Sequence, residues 1–208
     1  NKAYVFPGQG SQVVDMGKEF YDNFDIAKDV FNQVNEALGK DLSKIMFEGP
    51  QDLLTQTENA QPAIMCVSIA ILKVLEKESG KKIEELCKYV AGHSLGEYSA
   101  LCASEALSLQ DTAKLLKIRG ESFAEAGKSS KGAMVALVGA TIEQAEEVVN
   151  KARQDGEICQ VANDNTVGQV VLSGNENSID KAVEVATEIK IKRVIKLPVS
   201  GAFHSELM

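Results

Sequence analysis

Residues 88–97 are Lys88-Tyr89-Val90-Ala91-Gly92-His93-Ser94-Leu95-Gly96-Glu97, and the class of fold follows from them. Lys88 to Ala91 predict a strand, and a helix is predicted from Leu95 to Ala103. Gly92-His93-Ser94-Leu95-Gly96 then lies at a strand-to-helix turn, the setting in which G-x-S-x-G presents a nucleophilic serine. An ordinary helix N-cap is the alternative, because serine is common there.

The small residues two positions on either side of Ser94 let the strand and the helix approach closely. The serine hydroxyl then lies at a helix N-terminus, where backbone N–H groups favour a developing oxyanion. Ser94 is therefore the candidate nucleophile, and the Leu95 N–H is the first candidate oxyanion donor.

A serine nucleophile needs a base, and the chain contains two histidines. His93 adjoins Ser94, so its side chain should point away from that of Ser94, and a structural or pocket-wall role is expected. His204 is the candidate base by elimination, although a chance histidine is an equal alternative. No acidic third member stands out, and a neutral group could orient the imidazole instead.

Further elements are predicted outward from this turn. They are a short buried strand at residues 3–6 and helices at residues 25–38, 62–77 and 108–126. Pro62 suits the first turn of its helix. Ser108 with Asp111 predicts a capped helix start.

The pattern changes after Gly127, where residues 128–132 predict a linker of Lys, Ser and Gly. The elements that follow have the order βαββαβ, which is typical of a ferredoxin-like module. They are strand 133–138, helix 142–153, strand 157–163, strand 169–173, helix 177–189 and strand 193–197. Thr141 with Gln144 predicts a capping box at the first of these helices.

Composition excludes several classes of function. The net charge of −8 disfavours nucleic-acid binding, which needs a basic surface. The four cysteines form no C-x-x-C pair and histidine occurs only twice, so a zinc site is not expected. No cofactor is predicted either. Their apolar or helical surroundings predict buried, reduced thiols in a cytosolic protein.

No signal peptide is visible before the first predicted strand. The longest apolar stretch, Ala63 to Leu72, is about half the length that spans a bilayer. We therefore expect a cytoplasmic protein without membrane contact. A monomer is also expected.

Several motifs occur in a specific order along the whole chain. They are Pro7-Gly8-Gln9-Gly10-Ser11-Gln12, Gly92-His93-Ser94-Leu95-Gly96-Glu97, Arg119, Val161-Ala162-Asn163 with Gly168-Gln169, and Gly201-Ala202-Phe203-His204-Ser205. In this order they resemble the malonyl-CoA:acyl carrier protein transacylases, and they are similar to the acyltransferase domains of polyketide synthases.

The resemblance implies an α/β fold with an α/β-hydrolase-like large subdomain, residues 1–127 and 199–208, and an inserted ferredoxin-like small subdomain, residues 128–198. It also implies transfer of malonyl from malonyl-CoA, a substrate and not a cofactor, to the phosphopantetheine thiol of acyl carrier protein in fatty acid biosynthesis. A malonyl-serine intermediate would make the mechanism ping-pong.

The resemblance also assigns roles to residues. Ser94 would attack the thioester with His204 as base, and the Gln9 and Leu95 N–H groups would form the oxyanion hole. Arg119 would bind the malonyl carboxylate. Phe203, Asn163 and His93 would line the substrate site, with Phe203 favouring malonyl over methylmalonyl by its bulk.

Arg119 and Phe203 each have a competing explanation. A carboxylate in a dry pocket needs a planar, bidentate partner, which guanidinium supplies. A lone arginine on a helix is, however, more often a surface charge, and Phe203 could be ordinary core packing. Relatives usually continue many tens of residues past the histidine, so the rest of the large subdomain and the residue orienting His204 are expected beyond residue 208.

Two other functions compete with acyl transfer. A serine esterase or thioesterase would use the same turn, and a non-catalytic fragment could bind only a carrier protein. For carrier docking we predict a basic face, defined by Lys190, Lys192, Arg193 and Lys196 with Lys128 and Lys131. A solvated strand and linker would explain the same residues.

Overall fold

The computed structural model describes residues 2–129, 131–153, 156–199 and 201–208. The chain divides into two compact units, Asn1–Glu121 and Ser122–Met208. The predicted subdomain boundaries at residues 127 and 199 stay a prediction, since the contacts group residues 122–208 together.

The first unit is a two-stranded parallel sheet with helices. Strand β1 (Ala3–Phe6) pairs with β2 (Tyr89–Gly92), so that Ala3 lies beside Tyr89 and Phe6 beside Gly92. The helices of this unit are α1 (Lys18–Asn23), α2 (Asp25–Leu38), α3 (Leu42–Glu48), α4 (Gln51–Thr55), α5 (Thr57–Ser79), α6 (Ile83–Leu86), α7 (Gly96–Ala103) and α8 (Leu109–Ser129), which begins here.

Helices α2 and α5 supply most of the core of this unit. Helix α2 buries one face with the predicted helical spacing, through Ala27, Val30, Phe31, Val34 and Leu38. Helix α5 begins at Thr57, so the prediction that Pro62 lies in its first turn is wrong. Pro62 lies in the second turn, where its missing N–H leaves the Glu58 carbonyl without the usual intrahelical donor.

The prediction that the strand at residues 3–6 is buried is wrong for one of its two faces. Val5 is 72% exposed and Tyr89 is 58% exposed, whereas Phe6 is buried. Alternate side chains of a strand point to opposite faces, so one face of the pair packs on the core and the other meets solvent.

Glu76 joins α5 to α6. Its buried carboxylate accepts hydrogen bonds from the Lys73 ammonium at 2.8 Å and from the Ile83 N–H at 3.0 Å.

Among the described residues, α5 is the one helix long and apolar enough to cross a membrane. Its most apolar 18-residue segment has a mean hydropathy of 1.2, and 67% of that segment is buried in the protein. Burial of this kind is what a core helix shows.

The second unit has the predicted βαββαβ order. Its elements are β3 (Gly132–Val138), α9 (Ile142–Ala152), β4 (Cys159–Thr166), β5 (Gln169–Asn175), α10 (Glu176–Glu188) and β6 (Arg193–Lys196). The strands lie in the order β4-β5-β3-β6, and every neighbouring pair is antiparallel. This is the ferredoxin-like arrangement, and the α/β fold class is confirmed.

Capping residues predicted two helix starts correctly, whereas the Lys, Ser and Gly composition of residues 128–132 did not predict a linker correctly. The capping box of Thr141 and Gln144 is confirmed, and Ser108 accepts the Asp111 N–H at 3.0 Å. The linker predicted at residues 128–132 is wrong at both ends, because α8 continues to Ser129 and β3 begins at Gly132. Ser130 lies outside the described residues.

Candidate active site

Ser94 lies in a sharply turned backbone between β2 and α7. Its φ of 53° is in the left-handed region, which costs a non-glycine residue about 1–2 kcal/mol. A Cβ on Gly92 would lie 1.9 Å from the Gly96 carbonyl, and one on Gly96 would lie 2.3 Å from the Phe6 oxygen. The strand–turn–helix setting is therefore confirmed, and so is the steric need for small residues around Ser94.

The Ser94 hydroxyl lies beside a cation. The Arg119 Nη2 donates a hydrogen bond to Ser94 Oγ at 3.0 Å, so residues on the turn and on α8 meet. Arg119 is half-buried, and burial lowers its pKa while Tyr98 and Glu97 raise it. Guanidinium stays protonated in proteins. A plain surface charge does not describe Arg119, and its role toward a carboxylate stays a prediction.

Two further groups contact the Arg119 guanidinium. The ring of Tyr98 lies 5.7 Å from its central carbon, within cation–π range. Gln61, which is fully buried on α5, accepts a hydrogen bond from Arg119 Nη1 at 2.7 Å. Sequence reasoning missed Gln61. The available signal was an amide side chain two residues before the apolar stretch that begins at Ala63.

The loop with Gln9 packs on the turn that carries Ser94. The His93 N–H donates to the Phe6 carbonyl at 3.1 Å. A Cβ on Gly8 would lie 2.6 Å from His93 Nδ1, so only glycine lets the loop come this close. The Gln9 amide donates to Thr57 Oγ1 at 3.5 Å. The oxyanion-hole roles of Gln9 and Leu95, and the substrate role of His93, stay predictions.

The remaining predicted site residues belong to the second unit. Phe203 is buried and packs against Phe123 in a tilted arrangement with ring centroids 4.8 Å apart, which agrees with ordinary core packing. His204 is exposed and has a φ of 58°, again in the left-handed region. Asn163 faces Val171 across a register shift in β4. The roles of His204 as base and of Phe203 and Asn163 at the substrate stay predictions.

The described residues also show how the metal-ligating side chains and the thiols are distributed. The described ranges contain no group of three or more His, Cys, Asp or Glu side chains that could hold a metal ion. All four cysteines are free thiols. Cys66 and Cys159 are buried, whereas Cys87 and Cys102 are only partly buried, so the prediction of four buried thiols is wrong for these two. Burial raises the pKa of the Cys159 thiol to about 11.

With this geometry in place, comparison with known proteins defines the class. Residues 3–208 match the acyl transferase domain family, and the chain belongs to that family.

Two relatives within this family have names that specify the acyl group and its acceptor. The malonyl CoA-acyl carrier protein transacylase of Bacillus subtilis is 46% identical over 206 residues, which are 99% of this chain and 63% of the relative. The solved acyl-carrier-protein-S-malonyltransferase of Bartonella henselae is 48% identical, with a TM-score of 0.93 over 100% of this chain and 66% of that one.

A third solved relative is a type II PKS acyl-carrier protein in complex with its malonyl-transacylase. It is 33% identical with a TM-score of 0.90, over 99% of this chain and 65% of that one. The chain thus spans slightly less than two thirds of the relatives it matches. The resemblance to malonyl transacylases predicted from the motifs is confirmed.

Proposed function

We propose that this chain carries the nucleophile of an acyltransferase that moves malonyl from malonyl-CoA to the phosphopantetheine thiol of an acyl carrier protein, in fatty acid biosynthesis. The names of its relatives support this activity, and the contact between Arg119 Nη2 and Ser94 Oγ at 3.0 Å carries it. A cation at the nucleophile suits an acyl group that ends in a carboxylate.

The proposed reaction has two half-reactions. Ser94 Oγ attacks the thioester carbonyl, and its proton passes to the imidazole of His204. The carbon–sulfur bond breaks, the imidazole returns the proton to the CoA sulfur, and a malonyl ester remains on Ser94. The carrier's thiol then loses its proton to the imidazole, attacks the ester, and leaves with malonyl while Ser94 recovers its proton.

Backbone donors would stabilise the tetrahedral intermediates. The Leu95 N–H lies at the start of α7, where the helix dipole favours negative charge, and we assign the second donor to the Gln9 N–H. No cofactor enters either half-reaction, because both acyl transfers exchange one ester or thioester for another.

Arg119 would select the acyl group. In a malonyl ester of Ser94 the free carboxylate is separated from the carbonyl by one methylene, close to a guanidinium that already contacts Oγ. An acetyl ester has no carboxylate for this cation to bind, so it gains no comparable interaction. The same contact therefore explains both malonyl binding and rejection of acetyl.

The test is incubation with malonyl-CoA followed by intact mass. We expect one malonyl adduct on the wild type and none on Ser94→Ala. Arg119→Ala should reduce malonyl loading about 100-fold and leave acetyl loading unchanged or higher. Lys114→Ala, which removes an exposed cation from the same helix, is the matched control and should load normally.

Persistence of the adduct separates transfer from hydrolysis. A transferase should keep malonyl on Ser94 until a thiol arrives, so the adduct should survive without carrier and disappear when carrier is added. Prompt release of free malonate in the absence of a thiol would instead identify an esterase or thioesterase.

An acyl carrier protein is the proposed partner, as in the complex of the third relative. Lys190, Lys192 and Arg193 of the basic face are exposed, while Lys196 pairs with Asp180 at 2.5 Å. We place the enzyme in the cytoplasm as a monomer. The free thiols support a reducing compartment.

A further inference from the structure

Gln61 is a fully buried amide on the core helix α5. Its Oε1 accepts a hydrogen bond from Arg119 Nη1 at 2.7 Å. Guanidinium has donors and no acceptor, so the amide must turn its oxygen toward Arg119 and its NH₂ group away. The orientation of this side chain is therefore set by the arginine.

The NH₂ group of Gln61 is left without compensation. Its Nε2 is buried and has no hydrogen-bond partner among the residues that the structure describes. Burial of an unpaired amide donor is unfavourable, and an apolar side chain of similar shape would avoid that penalty. Stability of α5 thus does not explain the amide, whereas its bond to Arg119 does.

The spacing between the two side chains is set by backbone. Helix α8 crosses α5 at Gly120, where an added Cβ would lie 2.5 Å from Glu58 Cα and 2.7 Å from the Thr57 oxygen. Gly120 directly follows Arg119, and Glu58 lies one turn before Gln61. Contact between the helices therefore fixes how far the guanidinium lies from the amide.

We infer that Gln61 is a positioning residue, which holds the Arg119 guanidinium beside Ser94 while leaving its positive charge intact. A glutamate here would make the same hydrogen bond but would neutralise the cation and repel a substrate carboxylate. A neutral acceptor gives orientation without that loss. The selection of malonyl by this pair rests on the proposed function, whereas the positioning itself does not.

The positioning can be measured without any turnover. Arginine occurs only at Arg119, Arg153 and Arg193, so ¹⁵N side-chain spectra are simple, and Arg119→Lys identifies the signals. We expect slow rotation about the Cζ–Nη1 bond of Arg119 in the wild type and at least tenfold faster rotation in Gln61→Met. Equal rotation rates in the two proteins would overturn the inference.

Acyl loading then tests the consequence. We expect Gln61→Met to lower kcat/KM for malonyl-CoA about tenfold, mainly through KM, with acetyl-CoA loading unchanged. Gln61→Glu should lower malonyl loading further and still load acetyl. Gln110→Met, an exposed site on α8, is the matched control and should behave as wild type.

The outcomes separate the two proposals. Equal losses with malonyl-CoA and acetyl-CoA, together with a lower melting temperature, would mean that Gln61 only supports the fold, and would overturn the inference. A wild type that loads neither acyl group, yet shows slow Arg119 rotation released by Gln61→Met, would refute the proposed function and support the positioning role.

Discussion

Replacing Gly120 with alanine tests whether contact between backbones sets the geometry of the candidate site. Helix propensity alone predicts a gain, because alanine is favoured over glycine in a helix by about 1 kcal/mol. The structure predicts a loss, because the new Cβ would lie 2.5 Å from Glu58 Cα and 2.7 Å from both the Glu58 nitrogen and the Thr57 oxygen. Backbone atoms cannot rotate away, so α5 and α8 must separate.

The magnitude follows from these two opposing terms. Overpacking of a close contact costs about 1–3 kcal/mol, and the upper end applies where the clash is with backbone on several sides. Subtracting the gain of about 1 kcal/mol in propensity leaves a net loss of about 2 kcal/mol. In a chain of this size such a loss lowers the melting temperature by about 4–8 °C.

Tyrosine fluorescence is a suitable probe, since the chain has no Trp and its four tyrosines all lie in the first unit. Glu121→Ala is the control, because it sits one residue along and loses only an exposed ion pair to Lys117 at 3.7 Å. The Glu121→Ala variant should change the free energy of unfolding by less than about 0.5 kcal/mol. A Gly120→Ala protein as stable as wild type, or more so, would refute the backbone-contact reasoning.

Three further predictions concern other parts of the chain. Burial raises the pKa of Glu76, but hydrogen bonds from Lys73 and from the Ile83 N–H lower it more, so the folded protein favours the ionised carboxylate. The Glu76→Gln variant should therefore be less stable than wild type at neutral pH. That difference should shrink as pH falls below about 4.3, and a constant urea-midpoint difference between neutral and acid pH would contradict it. A thiol reagent should modify the partly exposed Cys87 in the native protein and Cys66 only after unfolding, because Cys66 is buried and burial raises its pKa. Labelling of Cys66 in the native protein would contradict this prediction. Lys192→Glu with Arg193→Glu should slow transfer to carrier about tenfold at low salt and leave CoA loading intact, and equal slowing of both would remove the basic face as a docking surface.

Periodic and capping signals predicted the long elements of the fold. The ferredoxin-like order follows from helices and strands long enough to show their period, and Thr141 and Ser108 marked their helix starts. Helices α1, α3, α4 and α6 were not predicted, because they have 4–7 residues and show too little of a helical period. Proline is common in the first turn of a helix, so the sequence predicts that α5 begins near Pro62, although it begins at Thr57.

The candidate site was only partly visible in the sequence. Ser94 has a local signature, because the glycines that permit its turn are its near neighbours. Arg119 and Gln61 have no local signature, since their contact depends on two helices that cross at a glycine. The two residues are 58 positions apart in the sequence. Pairing of this kind comes from tertiary packing, which a single sequence does not display.

Separate constraints hold the nucleophile and the cation of this site. The backbone turn at Ser94 is fixed by close packing at Gly92 and Gly96, where an added Cβ would meet backbone atoms. The Arg119 guanidinium contacts Gln61 and Tyr98, and neither side chain is among the closest neighbours of Gly92 and Gly96. For the proposed function, this means that reactivity toward a thioester and preference among acyl groups should be separable properties. Substitutions at Gln61 should change which acyl group is loaded, whereas added side chains at Gly92 should abolish loading of every acyl group.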